Sequence, residues 1–369
     1  MDAGIDWTKQ KETSMNRWID FTQDERMTMI QHVADAKKID EPAAEKDWWV
    51  TAVLYALFHT QVAGYLLFKG GTSLSKGWDF INRFSEDIDL ALDRDFFLNV
   101  KQLPYARCGS NTQIHHMREA AQDYLFGEFK MELSGVLAEM GLDVKVMAED
   151  EVPGENGEPQ KVDHDKDPSV IYVKYNSLYS SAAVYAQPVV KVEISVLSMD
   201  EPYEMKRISS LVEQVYEREG IAVDKEQVQT IKTVSPTRTF LEKAFLMCEE
   251  YQKNPPRTYR MSRHFYDLER LMDTEYGRAA LMDNALYQEI INHRRKFYHV
   301  GAVDYNQLQR ESISIVPPKE LMPLYEADYA DMRKSFIYDS SKDFGELMAR
   351  MVELEGRFRN ARCRTIERG

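Results

Sequence analysis

Asp87 and Asp89 stand two residues apart in Ser85–Leu92, a stretch rich in Ile and Leu. On a strand, residues i and i+2 share a face, so both carboxylates would project the same way. Two like charges at that spacing repel unless a cation lies between them, and hard oxygen donors suit Mg²⁺ or Mn²⁺. Upstream, Lys69-Gly70-Gly71-Thr72-Ser73 follows the apolar run Tyr65, Leu66, Leu67, Phe68. Paired glycines allow close backbone approach to a ligand, and their N–H groups with the Thr72 and Ser73 hydroxyls can hold phosphate oxygens. A phosphate-holding turn followed by a metal-holding carboxylate pair suits nucleotidyl transfer. No Gly-Lys-Ser/Thr stands at the spacing of a Walker A loop, and the third spaced Gly of a dinucleotide-binding loop is missing.

These groups need elements that bring them together. The spacer from Ser73 to Ser85 is long enough for a short helix that returns the chain beside the Gly-Gly turn. Before it, residues 44–68 read as helix, with Trp48, Val53, Leu54, Leu57 and Phe58 mostly at three- and four-residue spacings. Residues 112–140 read as a second helix, which Gly127 interrupts. Strands are expected from Leu142, from Ile171 and over Val189–Val196. In the last of these Val190, Val192, Ile194 and Val196 alternate with Lys191, Glu193 and Ser195. Residues 149–168 form a charged, Pro- and Gly-bearing connection of no expected catalytic interest. From Thr237 onward the pattern is helical, broken at Pro255-Pro256 and Pro317-Pro318. A mixed α/β first part, residues 1–235 with a polar helical appendage, and an all-helical part, residues 236–369, give an α+β class with two lobes. The boundary falls at Ser235-Pro236-Thr237, where Thr237 or Thr239 starts a helix.

At 369 residues there is room for two such domains, and 43% hydrophobic content is ordinary for a globular chain. No apolar run approaches a membrane span, and Met1-Asp2-Ala3-Gly4 opens no secretory signal. Cys108, Cys248 and Cys363 are scattered in no metal spacing, which suits a reducing cytoplasm. The adjacent pair His115-His116 lacks further ligands nearby and reads as helix surface. A net charge of −14 is unlike that of a nucleic-acid binder. Positive charge is local: Arg257, Arg260, Arg263 and Arg270; His293-Arg294-Arg295-Lys296; and a basic C-terminus with Arg357, Arg359, Arg362, Arg364 and Arg368. Each cluster read alone is a solvated helix face, and one basic cleft could still serve RNA.

Lys69–Leu74 followed by Arg83–Leu90 resembles the hallmark of the AbiEii/AbiGii-type nucleotidyltransferases, the toxin half of type IV toxin–antitoxin and abortive-infection systems in the DNA polymerase β-like superfamily. Weaker similarity extends to Glu45-Lys46-Asp47, to Arg263-His264-Phe265-Tyr266-Asp267-Leu268, and to Asp328-Tyr329 with Met332. It spans roughly residues 40 to 355.

The resemblance implies a polymerase β-like domain with a mixed sheet, followed by a helical domain. It implies Asp87, Asp89 and Glu193 as catalytic carboxylates and metal ligands, Glu193 being either a third ligand or a base. It implies nucleotide binding by Lys69, Gly70, Gly71, Thr72, Ser73, Lys76, Arg83 and Lys243. Lys243 lies in a helix that resembles the family's Thr-Phe-x-Glu-Lys element and would clamp the β- or γ-phosphate, oriented by Asp267. Read without the resemblance, Lys243 is a surface lysine and Asp267 pairs with Arg263 on its own helix. His264 reads as a packing or hydrogen-bonding residue. The implied reaction moves NMP from an NTP to an acceptor hydroxyl, with the tRNA 3′ end one acceptor and a cognate antitoxin a partner. The alternatives are a protein or small-molecule acceptor, or a nucleotide-binding interaction protein without turnover.

Overall fold

The computed structural model describes residues 17–153, 160–179, 187–197, 202–298 and 300–361. Cys363, Arg362, Arg364, Arg368 and the first sixteen residues of the expected appendage lie outside these. The described residues divide into two compact units. One takes in residues up to Thr72, those from Ser85 to 197, and Met205–Thr233; the other takes in Ser73–Phe84, residues 202–204 and those from Val234 onward.

Among the described residues seven strands form one mixed sheet: β1 (Leu66–Lys69), β2 (Ile88–Leu92), β3 (Val144–Ala148), β4 (Ser169–Tyr175), β5 (Val189–Ser195), β6 (Tyr203–Ile208) and β7 (Gln229–Val234). Their order is β3-β4-β5-β2-β1-β7-β6. β1 runs antiparallel to β2 and parallel to β7, while β2 and β5 are parallel. The apolar run before the Gly-Gly pair is therefore itself a central strand, cut from the expected 44–68 helix. β7 is a further strand beyond those expected, with Ile231 and Thr233 alternating inward along it. β6 is an edge strand with mostly exposed residues, so it lacks the apolar alternation that marks a strand from sequence.

In the first unit, α1 (Gln23–Lys37) is closed at its start by a Thr22–Glu25 capping box and buries Met29, Ile30, Val33 and Ala34. α2 (Glu41–Leu57) is buried almost all round, and Trp49 stacks on Tyr175 of β4 with ring centroids 4.6 Å apart. α4 (Asn111–Tyr124) and α5 (Lys130–Glu139) flank a π-helical turn at Leu125–Phe129 that contains Gly127. α6 (Leu211–Arg218) completes the helices of this unit.

A short helix, α3 (Gly70–Lys76), starts directly at the Gly-Gly pair rather than after it. Leu74, Trp78 and Ile81 then enter an apolar core with Phe240, Leu241, Phe265 and Leu268, which is why residues 73–84 group with the helical unit. That unit contains α7 (Pro236–Glu250), α8 (Arg263–Leu271), α9 (Glu275–Met282), α10 (Asn284–His293), α11 (Met322–Ser335) and α12 (Phe344–Asn360). Ser235 caps α7, accepting from Thr237 N at 3.4 Å, with Pro236 at the first helical position. The cap thus lies two residues before the expected Thr237. The mixed sheet followed by a helical region matches the α+β class expected. No helix among the described residues is long and apolar enough to cross a membrane.

Candidate active site

Asp89 sits on β2 with Lys69 opposite on β1 and Glu193 opposite on β5. Directly paired residues on neighbouring strands present their side chains on one face about 5 Å apart. The alternation of Ile88 and Leu90 with Asp89, and of Val192 and Ile194 with Glu193, buries the apolar side and leaves the carboxylates on the other. Asp87 immediately precedes β2. Burial raises the Asp89 pKa to about 7, and the negative charges of Glu193 and Asp87 add to it against the opposing pull of Lys69. Glu193 also shares a hydrogen bond with Asp89 and an ion pair with Lys191. Sequence patterning pointed to Glu193, and the register makes it the direct neighbour of Asp89.

Gly70 has a φ of +78°, and a Cβ there would meet the Asp89 side chain, so this glycine is required for both its conformation and its closeness to the carboxylate. Thr72 was expected to reach a phosphate, but it is fully buried. Its hydroxyl donates to the Asp87 carbonyl at 2.5 Å and lies 2.9 Å from Ser85 Oγ. It ties the start of α3 to the chain entering β2 and so positions Asp87. Ser73 is likewise fully buried, while Lys69 and Lys76 are partly buried.

Four residues make positioning contacts that sequence does not reveal. Lys46 of α2 donates to Glu86 at 2.5 Å and to the Gln187 carbonyl at 3.1 Å, which anchors the residue next to Asp87. Glu45 and Asp47 accept backbone N–H groups of Leu178 and Leu211. Asp167, inside the connection expected to be catalytically idle, accepts from Ser195 Oγ at 2.6 Å and Val196 N at 2.9 Å, fixing the end of the strand that carries Glu193. Such long-range partners leave no local spacing to find.

The second unit holds its own charged group. Arg83 is paired by a short bridge to Ile337 and donates to both oxygens of Asp267, each at 2.7 Å. Lys243 of α7 stands 2.9 Å from the same carboxylate. Asp267 is fully buried, as Arg83 and Lys243 nearly are. Burial alone would raise the Asp267 pKa, but the charges of Arg83 and Lys243 outweigh it and hold it well below the usual range. Burial depresses the Lys243 pKa against the pull of Asp267. The expected Lys243–Asp267 neighbourhood is present. Arg83, expected at the nucleotide, instead faces Asp267, because a buried carboxylate needs a geometrically matched cation. Burial, then the charges of Lys243 and Arg263, push the His264 pKa well down, and its Nδ1 is buried without a hydrogen-bond partner. Asp328 accepts from Arg260 N at 2.5 Å and Ser262 N at 2.9 Å, fixing the entry to α8.

The basic runs are largely engaged. Arg294 is buried and bidentate to Glu249, with contacts of 2.5 and 2.6 Å. Arg257 pairs with Glu250, and Arg357 with Asp273 and Glu353. Arg294 is therefore a core residue, not part of a solvated face.

The donor chemistry of Asp87, Asp89 and Glu193 fits a hard divalent cation, with all-oxygen ligands and mutual repulsion to relieve. As they stand, no three His, Cys, Asp or Glu side chains among the described residues form a ligating group. A family model described as nucleotidyl transferase AbiEii toxin, type IV toxin–antitoxin system, matches residues 52–350. No curated protein matches the chain.

Proposed function

Because the chain belongs to the AbiEii family of nucleotidyl transferase toxins of type IV toxin–antitoxin systems, we propose that it is a metal-dependent enzyme moving NMP from an NTP to an acceptor hydroxyl. The observation that carries this is the register that sets Asp89 between Lys69 and Glu193, with Asp87 two residues upstream. The acceptor oxygen bonds to the α-phosphorus, the bond to the bridging oxygen breaks, and pyrophosphate leaves. Asp87 and Asp89 would hold Mg²⁺ or Mn²⁺, and Glu193 would either complete the ligand set or take the acceptor proton. The cation would neutralise charge on the reacting phosphates. The Gly70-Gly71 backbone and Lys69 are the proposed triphosphate contacts of the sheet unit, and Lys76 is proposed as a further phosphate ligand. Lys243 is the residue of the helical unit proposed as a point-charge ligand to a nucleotide phosphate, with Asp267, locked by Arg83, fixing its direction.

A tRNA 3′ end is the acceptor proposed first, and a cognate antitoxin is the partner that family membership implies. The net charge of −14 favours a second reading in which the acceptor is a protein or small molecule. Binding without turnover is disfavoured by the retention of both aspartates. The buried free thiols Cys108 and Cys248 fit a cytoplasmic setting. The test is incubation with each labelled NTP, Mg²⁺ and total cellular RNA or protein. Label in RNA supports the first reading, label in protein or a small molecule the second, and NTP binding without pyrophosphate release would leave only the interaction protein.

A further inference from the structure

Lys191 lies two residues before Glu193 on β5, so both side chains share the polar face of the sheet. Its ammonium is ion-paired with Glu193 Oε1. Asp87 also lies within its electrostatic reach, and Tyr172 of β4 stands directly opposite it in the register. Glu193 is in turn the cross-strand neighbour of Asp89. The carboxylate that would complete a divalent site is thus held by an internal cation. Asp89 and Glu193 are paired carboxylates on one sheet face, and Lys191 engages the second of them.

We propose that Lys191 is a built-in counter-cation that competes with the divalent metal for Glu193 and must be displaced for the site to close. The inference rests on the metal-dependent reading above. A lysine suits this part because its ammonium is a compact charge on a flexible stem and can leave a carboxylate without moving the strand. When Glu193 turns to the metal, the released ammonium remains on the face where a substrate phosphate would lie. Lys191 therefore sets metal affinity as a positioning residue, acting through Glu193.

The test is Mn²⁺ binding to the full chain without nucleotide, followed by calorimetry and by loss of the free-ion paramagnetic resonance signal. Lys191→Met should tighten Mn²⁺ on the order of tenfold, since a positive charge beside the ligand is removed. Lys191→Arg, which keeps the charge, should stay near wild type. In a Glu193→Gln background, Lys191→Met should change affinity much less, because the competition acts through that carboxylate. Equal or weaker Mn²⁺ binding by Lys191→Met overturns the proposal while leaving the metal-dependent reading intact. An equal gain in the Glu193→Gln background overturns it as well, showing only general electrostatics. Folded wild type and variant that both fail to bind Mn²⁺ would remove both readings. Should Lys191→Met not fold, Lys191→Gln carries the same expectation, and weaker binding by it is equally decisive.

Discussion

Gly70 and Asp89 are packed so closely that a Cβ on Gly70 would stand 1.9 Å from Asp89 Oδ2 and 2.6 Å from its Cγ. The start of α3 and the centre of β2 are thus fitted to one another through the absence of a side chain. Gly70 also holds a φ of +78°, which L-residues rarely adopt. Gly70→Ala should therefore displace Asp89 and strain the backbone, costing about 1–3 kcal/mol of stability and most of the activity. Gly71→Ala, in the first turn of α3 and without a positive φ, should cost less stability. Thermal melts and NTP calorimetry on the two variants check this, and equal effects would contradict it.

Asp87→Asn and Asp89→Asn should each leave the fold intact and lower turnover by several powers of ten. Circular dichroism beside a pyrophosphate-release assay separates the two effects. Wild-type rates in both variants would exclude them from the metal site.

The raised Asp89 pKa, about 7, gives the metal-free protein a directional pH dependence. An unfolded Asp loses its proton near pH 4, whereas the folded one keeps it to about 7. Its contribution to stability is therefore present below about 4 and is lost as pH rises through about 7. In chelator, the melting temperature of wild type should fall across this window more than that of Asp89→Asn, and the variant should be the more stable at pH 8. A parallel pH profile for the two proteins would refute the assignment.

Asp267 should behave in the opposite sense. Its pKa is held well below the ordinary carboxylate range, so its contribution is present above about 4 and is lost only in strong acid. Asp267→Ala leaves Arg83 and Lys243 buried without their carboxylate and should destabilise by about 3–5 kcal/mol. Asp267→Asn should be milder and raise the apparent KM for NTP. Lys243→Met should do the same, and the two together should be less than additive, since they act on one contact. Strict additivity in KM would show that Asp267 serves Arg83 alone.

Induction of the wild-type chain should slow bacterial growth, and Asp87→Asn should abolish the arrest. If RNA is the acceptor, neutralising exposed Arg295 and Lys296 should lower RNA labelling and flatten its salt dependence while NTP binding persists. Neutralising Arg294 should instead unfold the helical unit, because Glu249 would be left buried and unpaired. Identical labelling at every salt concentration would exclude Arg295 and Lys296 from an RNA surface.

The spacing of Asp87 and Asp89, the preceding Gly-Gly and the alternation around Glu193 were legible along the chain because each obeys a local period. Strand period two puts Lys191 with Glu193 on β5 and led to the same expectation for Asp87 and Asp89, although Asp87 lies one residue before β2. The helical character of residues 236–360 was legible for the same reason. Tertiary structure decided that Lys69 and Glu193 flank Asp89, since register is a property of strand pairing between separate segments, and Glu193 lies over a hundred residues from Asp89 in the chain. It also decided that Arg83, not Arg263 on the same helix, takes both oxygens of Asp267. An i,i+4 helical pair was the only partner local spacing could offer, whereas a fully buried carboxylate takes whichever cation the packed core delivers in bidentate geometry. Thr72 and Arg294 make the same point: in sequence the hydroxyl reads as ligand-facing and the guanidinium as solvent-facing, and only burial shows that they are engaged by a carbonyl and a buried glutamate.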